Sequence, residues 1–312
     1  MGRYVLGRLL QLVPVLFLIS LIVFAVMHLL PGDPALLMLA GAEGGAISPE
    51  RLEELRAQMG LDDPLPIQYL NFVTGALQGD LGQSVRFQVP VSELIGDRFG
   101  STLQLAVAGL AVAVLIGLPL GIIAAARKGG WIDTLCMTLS YVGSSMPVYW
   151  LGLLLVLLFS FTLHWFPSAG GSGWKALVLP SVTLGLLSAG VLARLIRSSM
   201  LEVSTEDYMR TAFAKGLPLR LVILRHGLKN AMIPVLTMIG LQFGALLAGT
   251  VVTETVFSRP GLGRLIVNAI LSKDYPLVQG AILFLAVVYL LVNLAVDIAY
   301  AWLDPRIRYG TS

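Results

Sequence analysis

Six stretches of predominantly apolar residues, 9–30, 102–126, 134–163, 177–196, 232–252 and 278–303, constrain this chain more than any other feature. A hydrocarbon layer about 30 Å thick is crossed by roughly 20 helical residues, and each run reaches that length. Inside hydrocarbon the backbone must satisfy its own hydrogen bonds, which a helix does within one segment. The expected fold class is therefore an all-α integral membrane protein with six transmembrane helices. Composition agrees, because hydrophobic residues make up 56% and charged residues only 12% of the 312, against about 25% charged in soluble chains. The third run is too long for one straight span and contains Pro147, so a bent or interfacial entry is expected before its most apolar part, 150–161.

The first run follows Arg3 and Arg8 and precedes the small residues Ala40-Gly41-Ala42. A cleaved signal peptide is nevertheless the weaker reading, because the apolar stretch exceeds the length of such a core and Pro31-Gly32-Asp33-Pro34 separates it from that site. Lysine and arginine in the short loops set the orientation. One side holds Arg3, Arg8, Arg127, Lys128, Arg194, Arg197, Arg210, Lys215, Arg220, Arg225, Lys229, Arg306 and Arg308; the other holds Lys175, Arg259, Arg264 and Lys273. Both termini are thus expected in the cytoplasm.

These positions divide the chain into an N-terminus with the first span (1–30), an external segment (31–100), a five-helix core (101–303) and a cytoplasmic tail (304–312). The external segment predicts two short amphipathic helices forming a cap on the outer surface. One is capped by Ser48, starts at Pro49, carries Leu52, Leu55 and Met59, and stops at Gly60; the other runs from Pro66 to about Leu77 with Ile67, Leu70, Val73 and Leu77 on one face. Small residues at four-residue spacing mark close-packing faces on three spans: Ala113, Gly117, Gly121 and Ala125; Gly185, Ala189 and Ala193; and Gly240, Gly244 and Ala248. Packing within the chain and packing against a second membrane subunit are equally compatible with them. Asp297, with Asn293 four residues earlier, is the acidic residue read as lying inside a span, and a packing or capping role is expected for it, near the cytoplasmic end.

Several chemistries are not encoded. One cysteine, Cys136, excludes an internal disulfide, and His28, His164 and His226 are too scattered for a local metal motif. No lysine follows Gly and precedes Ser or Thr, so the chain carries no Walker A phosphate loop. Neither His-Glu-x-x-His nor Gly-x-Ser-x-Gly occurs, which argues against an embedded enzyme. A secondary carrier places several protonatable groups at mid-membrane depth, and one peripheral Asp is thin support for that class. A scaffold without transport activity is the third reading.

The stretch between the fourth and fifth spans is built differently. Ser204 with Asp207 three residues later gives a capping-box-like start, residues 208–215 continue as helix, Gly216 suits a left-handed stop, and Pro218 suits the start of a second short helix. Tyr208, Ala212 and Phe213 among charged residues provide apolar anchors for a partner's groove; a basic loop lying on anionic headgroups is the competing reading.

Asp207-Tyr208-Met209-Arg210-Thr211-Ala212-Phe213-Ala214-Lys215-Gly216, followed by His226-Gly227-Leu228-Lys229-Asn230-Ala231-Met232-Ile233-Pro234, resembles the EAA loop of binding-protein-dependent ABC importer permeases. It is similar in particular to the peptide branch, which includes dipeptide, oligopeptide, glutathione and nickel systems. Pro31-Gly32-Asp33-Pro34, Gly79-Asp80-Leu81-Gly82, Arg197-Ser198-Ser199-Met200-Leu201-Glu202-Val203, Pro260-Gly261-Leu262-Gly263, Asp274-Tyr275-Pro276 and Asp304-Pro305-Arg306-Ile307-Arg308 extend that resemblance along nearly the whole chain. Phe213, where the branch usually has Arg, and Arg259, where an aromatic usually precedes Pro-Gly-Leu-Gly, depart from it.

The resemblance implies a permease subunit of an ATP-driven importer for di- or oligopeptides in the bacterial inner membrane, or alternatively for glutathione or nickel. It implies no catalysis and no cofactor in this chain, ATP and magnesium being bound by two partner ATP-binding subunits. A second homologous permease, an extracytoplasmic solute-binding protein and the lipid bilayer complete the expected partners; nucleic acid is not among them. The cytoplasmic coupling loop, 198–230 with its working part in 204–230, would dock an ATPase through Asp207, Tyr208, Arg210, Thr211, Ala212, Phe213, Lys215 and Gly216. Thr237, Gln242, Thr250 and Thr253 on the fifth span are the candidate lining of the solute path. The short loop 164–175 between the third and fourth spans favours short-peptide or glutathione-type permeases.

Overall fold

A computed structural model describes residues 2–29, 35, 36, 39, 49–58, 60–171, 173–218 and 221–303. Among them helix is the only extended regular structure, in the order α1 (Gly2–Leu29), α2 (Pro49–Gln58), α3 (Leu65–Leu77), α4 (Val91–Ala126), α5 (Trp131–Ser145), α6 (Val148–Leu155), α7 (Lys175–Val203), α8 (Asp207–Ala214), α9 (Leu228–Val256), α10 (Leu262–Leu271) and α11 (Tyr275–Leu303). Two π-helical stretches interrupt the series, Val156–Thr162 after α6 and Val222–Gly227 before α9. Among the described residues five helices are long and apolar enough to cross a membrane, and a sixth span results if the bent pair Trp131–Ser145 and Val148–Thr162 counts as one. The motifs at 31–34 and 304–308, Ser48, Met59 and the proposed cleavage site lie outside the described residues.

The bend expected at Pro147 is a break. Met146 is extended at ψ 134°, the conformation that the ring of a following proline imposes, and the two halves of the run diverge by 106°. Pro147 then opens α6, where its missing N–H costs nothing.

The chain forms two compact units. The first comprises Met1–Ser101 and Pro260–Leu294. Its core is made by Val91 and Ile95 of α4, Leu262, Leu265, Ile266 and Ala269 of α10, and Leu277, Val278 and Ala281 of α11, with Phe99 and Phe284 edge to face at 5.2 Å. Helix α10 is absent from the sequence expectation, although Leu262, Leu265, Ile266 and Ala269 have helical spacing; ten residues are too few for a span. Asp274 organises the connection. Its carboxylate accepts from the Ser84 hydroxyl, from the Val85 amide at 3.0 Å and from the Arg86 amide at 3.1 Å, while its carbonyl accepts from Val278 in the first turn of α11. Two of the quoted motifs thus serve one purpose: Gly79-Asp80-Leu81-Gly82 leads into the turn that Asp274-Tyr275-Pro276 holds.

The second unit comprises Thr102–Arg259 and Ala295–Ser312. Helix α7 is its central element, with 61% of its most apolar window buried, against 28% for α9. The small-residue faces explain why. A Cβ on Gly117 would lie 2.8 Å from the Ala189 carbonyl oxygen, and one on Gly121 would lie 2.6 Å from that of Ala193. The faces marked on the second and fourth spans therefore pack against each other within the chain, backbone on backbone. On α9, a Cβ at Gly240 would meet Val296 at 2.5 Å, while Ala248 of the same face is exposed.

Candidate functional site

The segment from Arg197 to Asn230, within the second unit, starts from a fixed base. Arg197 donates from Nε and Nη2 to the two carboxylate oxygens of Asp133 at 2.6 and 2.7 Å, and the Gly129 amide donates to the same carboxylate at 3.0 Å. Three charge-assisted bonds satisfy a buried Asp133. Three residues earlier on α7, Arg194 donates to the Ser144 hydroxyl at 2.8 Å and the Ser140 carbonyl at 3.2 Å, with its guanidinium over the Tyr141 ring. The end of α7 is thereby pinned to α5, by an acid that the sequence reading left unused. Its signal was position: Asp133 is the one carboxylate between the basic pair 127–128 and the third run.

Ser204 does not cap the next helix, contrary to the capping-box reading. It lies in the helical conformation at the end of α7 and donates to the Leu201 carbonyl at 2.6 Å. After a short turn, the Glu206 carbonyl accepts the first amides of α8, from Met209 and Arg210. Asp207, in the first turn, faces the positive end of the helix dipole.

Helix α8 is two-faced. Met209 and Ala212 are buried and form a small cluster with Val222, against which Val203 and Leu217 pack. Tyr208, Asp207, Arg210, Thr211 and Lys215 remain exposed. Ala212, placed among the outward anchors by sequence, therefore packs inward, and Met209 is the inward residue that the sequence reading missed, though its spacing from Ala212 is one helical turn. The Phe213 side chain lies outside the described residues. Tyr208 stays close to the chain on one side only: its hydroxyl accepts from Asn230 Nδ2 at 2.7 Å, tying α8 to the first turn of α9. The exposed Asp207–Arg210 pair at 3.7 Å contributes little to stability.

Gly216 follows at φ +73°, and a Cβ placed on it would meet nothing within 4 Å, so the need for glycine here is conformational and not steric. Pro218 begins the return: its carbonyl accepts from the Leu221 and Val222 amides. The expected second short helix is the π-helical turn Val222–Gly227, which runs directly into α9. Gly227 is buried there, within 3.3 Å of Met209 Cε by its built Cβ. The chain thus seats α8 on the junction between α7 and α9 and presents a polar, partly basic face outward.

The four candidate path residues of α9 separate. Thr250 and Thr253 are fully buried, and their hydroxyls donate to the Leu247 and Gly249 carbonyls. Thr237 and Gln242 are half-buried. The sequence reading ended this run at 252, whereas α9 continues to Val256 and brings in Glu254, which is fully buried and accepts from the Thr102 hydroxyl at 2.7 Å. Just beyond, Arg259 donates Nη2 to Gln104 Oε1 at 2.7 Å, and its Nε is buried without a partner among the described residues. Burial holds this guanidinium below the usual arginine range. Asp297 is half-buried. Among the described residues, no group of three or more His, Cys, Asp and Glu comes together as a metal site.

Residues 117–309 match the family described as "Binding-protein-dependent transport system inner membrane component", and residues 1–106 match "Binding-prot-dependent transport system membrane comp, N-term". The "Glutathione transport system permease protein GsiC" of Escherichia coli (strain K12) is 48% identical over 309 residues, 99% of this chain and 100% of that protein. Its counterpart in Salmonella typhimurium (strain LT2) matches to the same extent. Among solved structures, the MetNI methionine ABC transporter in an inward-facing conformation superposes with a TM-score of 0.60 at 16% identity, over 68% of this chain and 96% of that one. An amino acid ABC transporter gives 0.52 at 16% identity, over 69% and 94%. These two carry the fold alone.

Proposed function

The chain belongs to the family of binding-protein-dependent transport system inner membrane components, and from that premise we propose that it forms half of the translocation path for a short peptide, with glutathione as the leading solute. It is a permease subunit of an ABC importer of the peptide family, a multi-pass protein of the inner membrane. Full-length identity of 48% to proteins named as glutathione permeases supports the solute; dipeptides and longer peptides are the competing solutes within the same branch.

The observation that carries the mechanism is the seating of α8. A helix of eight residues is too short to hold its shape alone, and Met209 and Ala212 give it a base on its own chain. The exposed face, with Tyr208, Arg210, Thr211 and Lys215, is then the part offered to an ATP-binding subunit. Two such subunits, a second permease and an extracytoplasmic solute-binding protein complete the assembly; ATP and magnesium are held by the partners. Closure of the ATPase pair displaces α8, and the displacement passes through Val222–Gly227 into α9 and through the Asp133–Arg197 contact into α5. Shifting a two-state transporter from 1:99 to 99:1 takes about 5.5 kcal/mol of differential binding, so the contact must stay docked through the cycle.

The test is reconstitution of the complete complex in vesicles with labelled glutathione, dialanine and nickel ion presented separately. ATP-dependent uptake of glutathione is the expected result. Uptake by this chain alone, driven by an ion gradient, would replace the proposal with a secondary carrier, and preference for dialanine would move the solute to the dipeptide reading.

A further inference from the structure

Outside the candidate spans, helix α3 is the exposed helix whose composition least suits water. Its 13 residues carry no charge and none of them is buried, with Leu65, Ile67, Leu70 and Leu77 exposed, Leu77 at 82%. Helix α2, only seven residues upstream, has five charged residues in ten. Charges return at once on both sides of α3, as Asp62 and Asp63 before it and Asp80 after it. That pattern belongs to a segment withdrawn from water between two wet ends.

Its position fixes the depth. Phe24 of α1 meets Tyr69 at 5.4 Å and Phe72 at 6.2 Å between ring centroids, so α3 crosses α1 at the level of Phe24. The apolar stretch of α1 runs Gly7–Val26, and Phe24 is two residues, about 3 Å, inside its end. The Tyr69 hydroxyl reaches further, to the Ser20 hydroxyl at 2.8 Å, while Gln68 turns the other way to His28 at 3.0 Å. At 100° per residue, Tyr69, Val73, Leu70 and Leu77 share one side of α3, and Gln68, Asn71 and Gly75 the other. The polar side thus faces the end of the span, and the apolar side continues the exposed surface of α1 at Phe17 and Leu21, on the side of α1 that carries Ser20 and Phe24.

We propose that α3 is an interfacial membrane helix, lying at the Val26 end of the first span with Leu70, Val73 and Leu77 among lipid acyl chains and Gln68 and Asn71 toward the headgroups. The occupant of its free apolar side is lipid, because that side is continuous with a surface of α1 that the bilayer itself covers, and because the Tyr69 ring at its edge suits the membrane–water interface, where tyrosine is enriched. This replaces the water-exposed cap for α3 and leaves α2 as the part of that segment in water. The inference needs α1 to span the membrane, not any particular solute.

The experiment uses the full chain with its co-purifying subunits in vesicles of phosphatidylethanolamine and phosphatidylglycerol. In a Cys136→Ser background, spin labels are placed at Leu70→Cys, Leu77→Cys, Leu18→Cys as a bilayer control and Glu54→Cys as a water control. Labels at 70 and 77 should collide with oxygen more often than with a water-soluble nickel chelate, as the label at 18 does, and the order should reverse at 54. As a check free of substitutions, a diazirine-bearing lipid should label the wild-type peptide 65–77 and not 49–58. Nickel collisions dominating at 70 and 77 would put α3 in water, and protection from both reagents would mean that protein, such as a second permease, covers it; either result, or an unlabelled 65–77 peptide, overturns the proposal.

Discussion

Gly216 meets a demand that is purely one of backbone conformation. At φ +73° with nothing within 4 Å of where a Cβ would stand, a larger side chain would fit the space and still strain the chain, by about 1–2 kcal/mol for an ordinary L-residue. Gly216→Asn should therefore be tolerated best, Gly216→Ala should be intermediate, and Gly216→Val should separate ATP hydrolysis from uptake while the complex still assembles; simultaneous hydrolysis and uptake assays on the reconstituted complex read the order. Equal uptake by all three would remove Gly216 from the mechanism. Asp133 and Arg197 make the opposite kind of demand, since each satisfies the other's charge. Replacing Asp133 with Ala strands Arg197 and should cost on the order of 1–3 kcal/mol, whereas Asp133→Ala combined with Arg197→Leu should recover part of it. Detergent-solubilised thermal unfolding of the four members of that cycle measures the coupling.

At the scale of elements, α8 separates seating from docking by face. Met209→Ala removes most of a buried side chain from a small cluster and should cost about 2 kcal/mol locally, visible as faster amide exchange over 207–214. Lys215→Glu or Arg210→Glu alters only the exposed face, so exchange there should stay unchanged while the amount of co-purifying ATPase falls. Faster exchange in the charge variants would mean that the outward face holds the helix in place. What sequence made legible at this scale is local: α2, α3, α8 and the Pro147 break were readable because proline starts, the stop at Gly216 and helical spacing act within a few residues. The inward role of Ala212 and the short α10 were not, because each is set by partners outside its own helix, Val222 for Ala212 and Val91 and Ile95 for α10; the end of α7 at Ser204 was not, because its hydroxyl bonds back to Leu201 instead of forward to the next helix. Glu254 was missed for a simpler reason: a hydropathy run stops at the first charge, but a helix does not.

For the whole molecule, orientation is the property on which every functional assignment turns. Thirteen basic residues on one side of the short loops against four on the other predict that Lys128→Cys, in a Cys136→Ser background, reacts with an impermeant maleimide only in opened vesicles, while Lys175→Cys reacts in intact cells. The reverse pattern would place α8 outside, where no ATPase could reach it. The fold class and the family were readable from apolar runs and ordered motifs, but the pairing of helices was not, since the two small-residue faces of α4 and α7 are equally good partners for each other and for a stranger. That they meet each other, with the Ala189 and Ala193 carbonyls where Gly117 and Gly121 have no Cβ, has a mechanical result. Two rods locked tooth to tooth have no room to slip, so any working stroke must carry α4 and α7 together as one rigid slab and leave the flexing to joints such as Met146–Pro147.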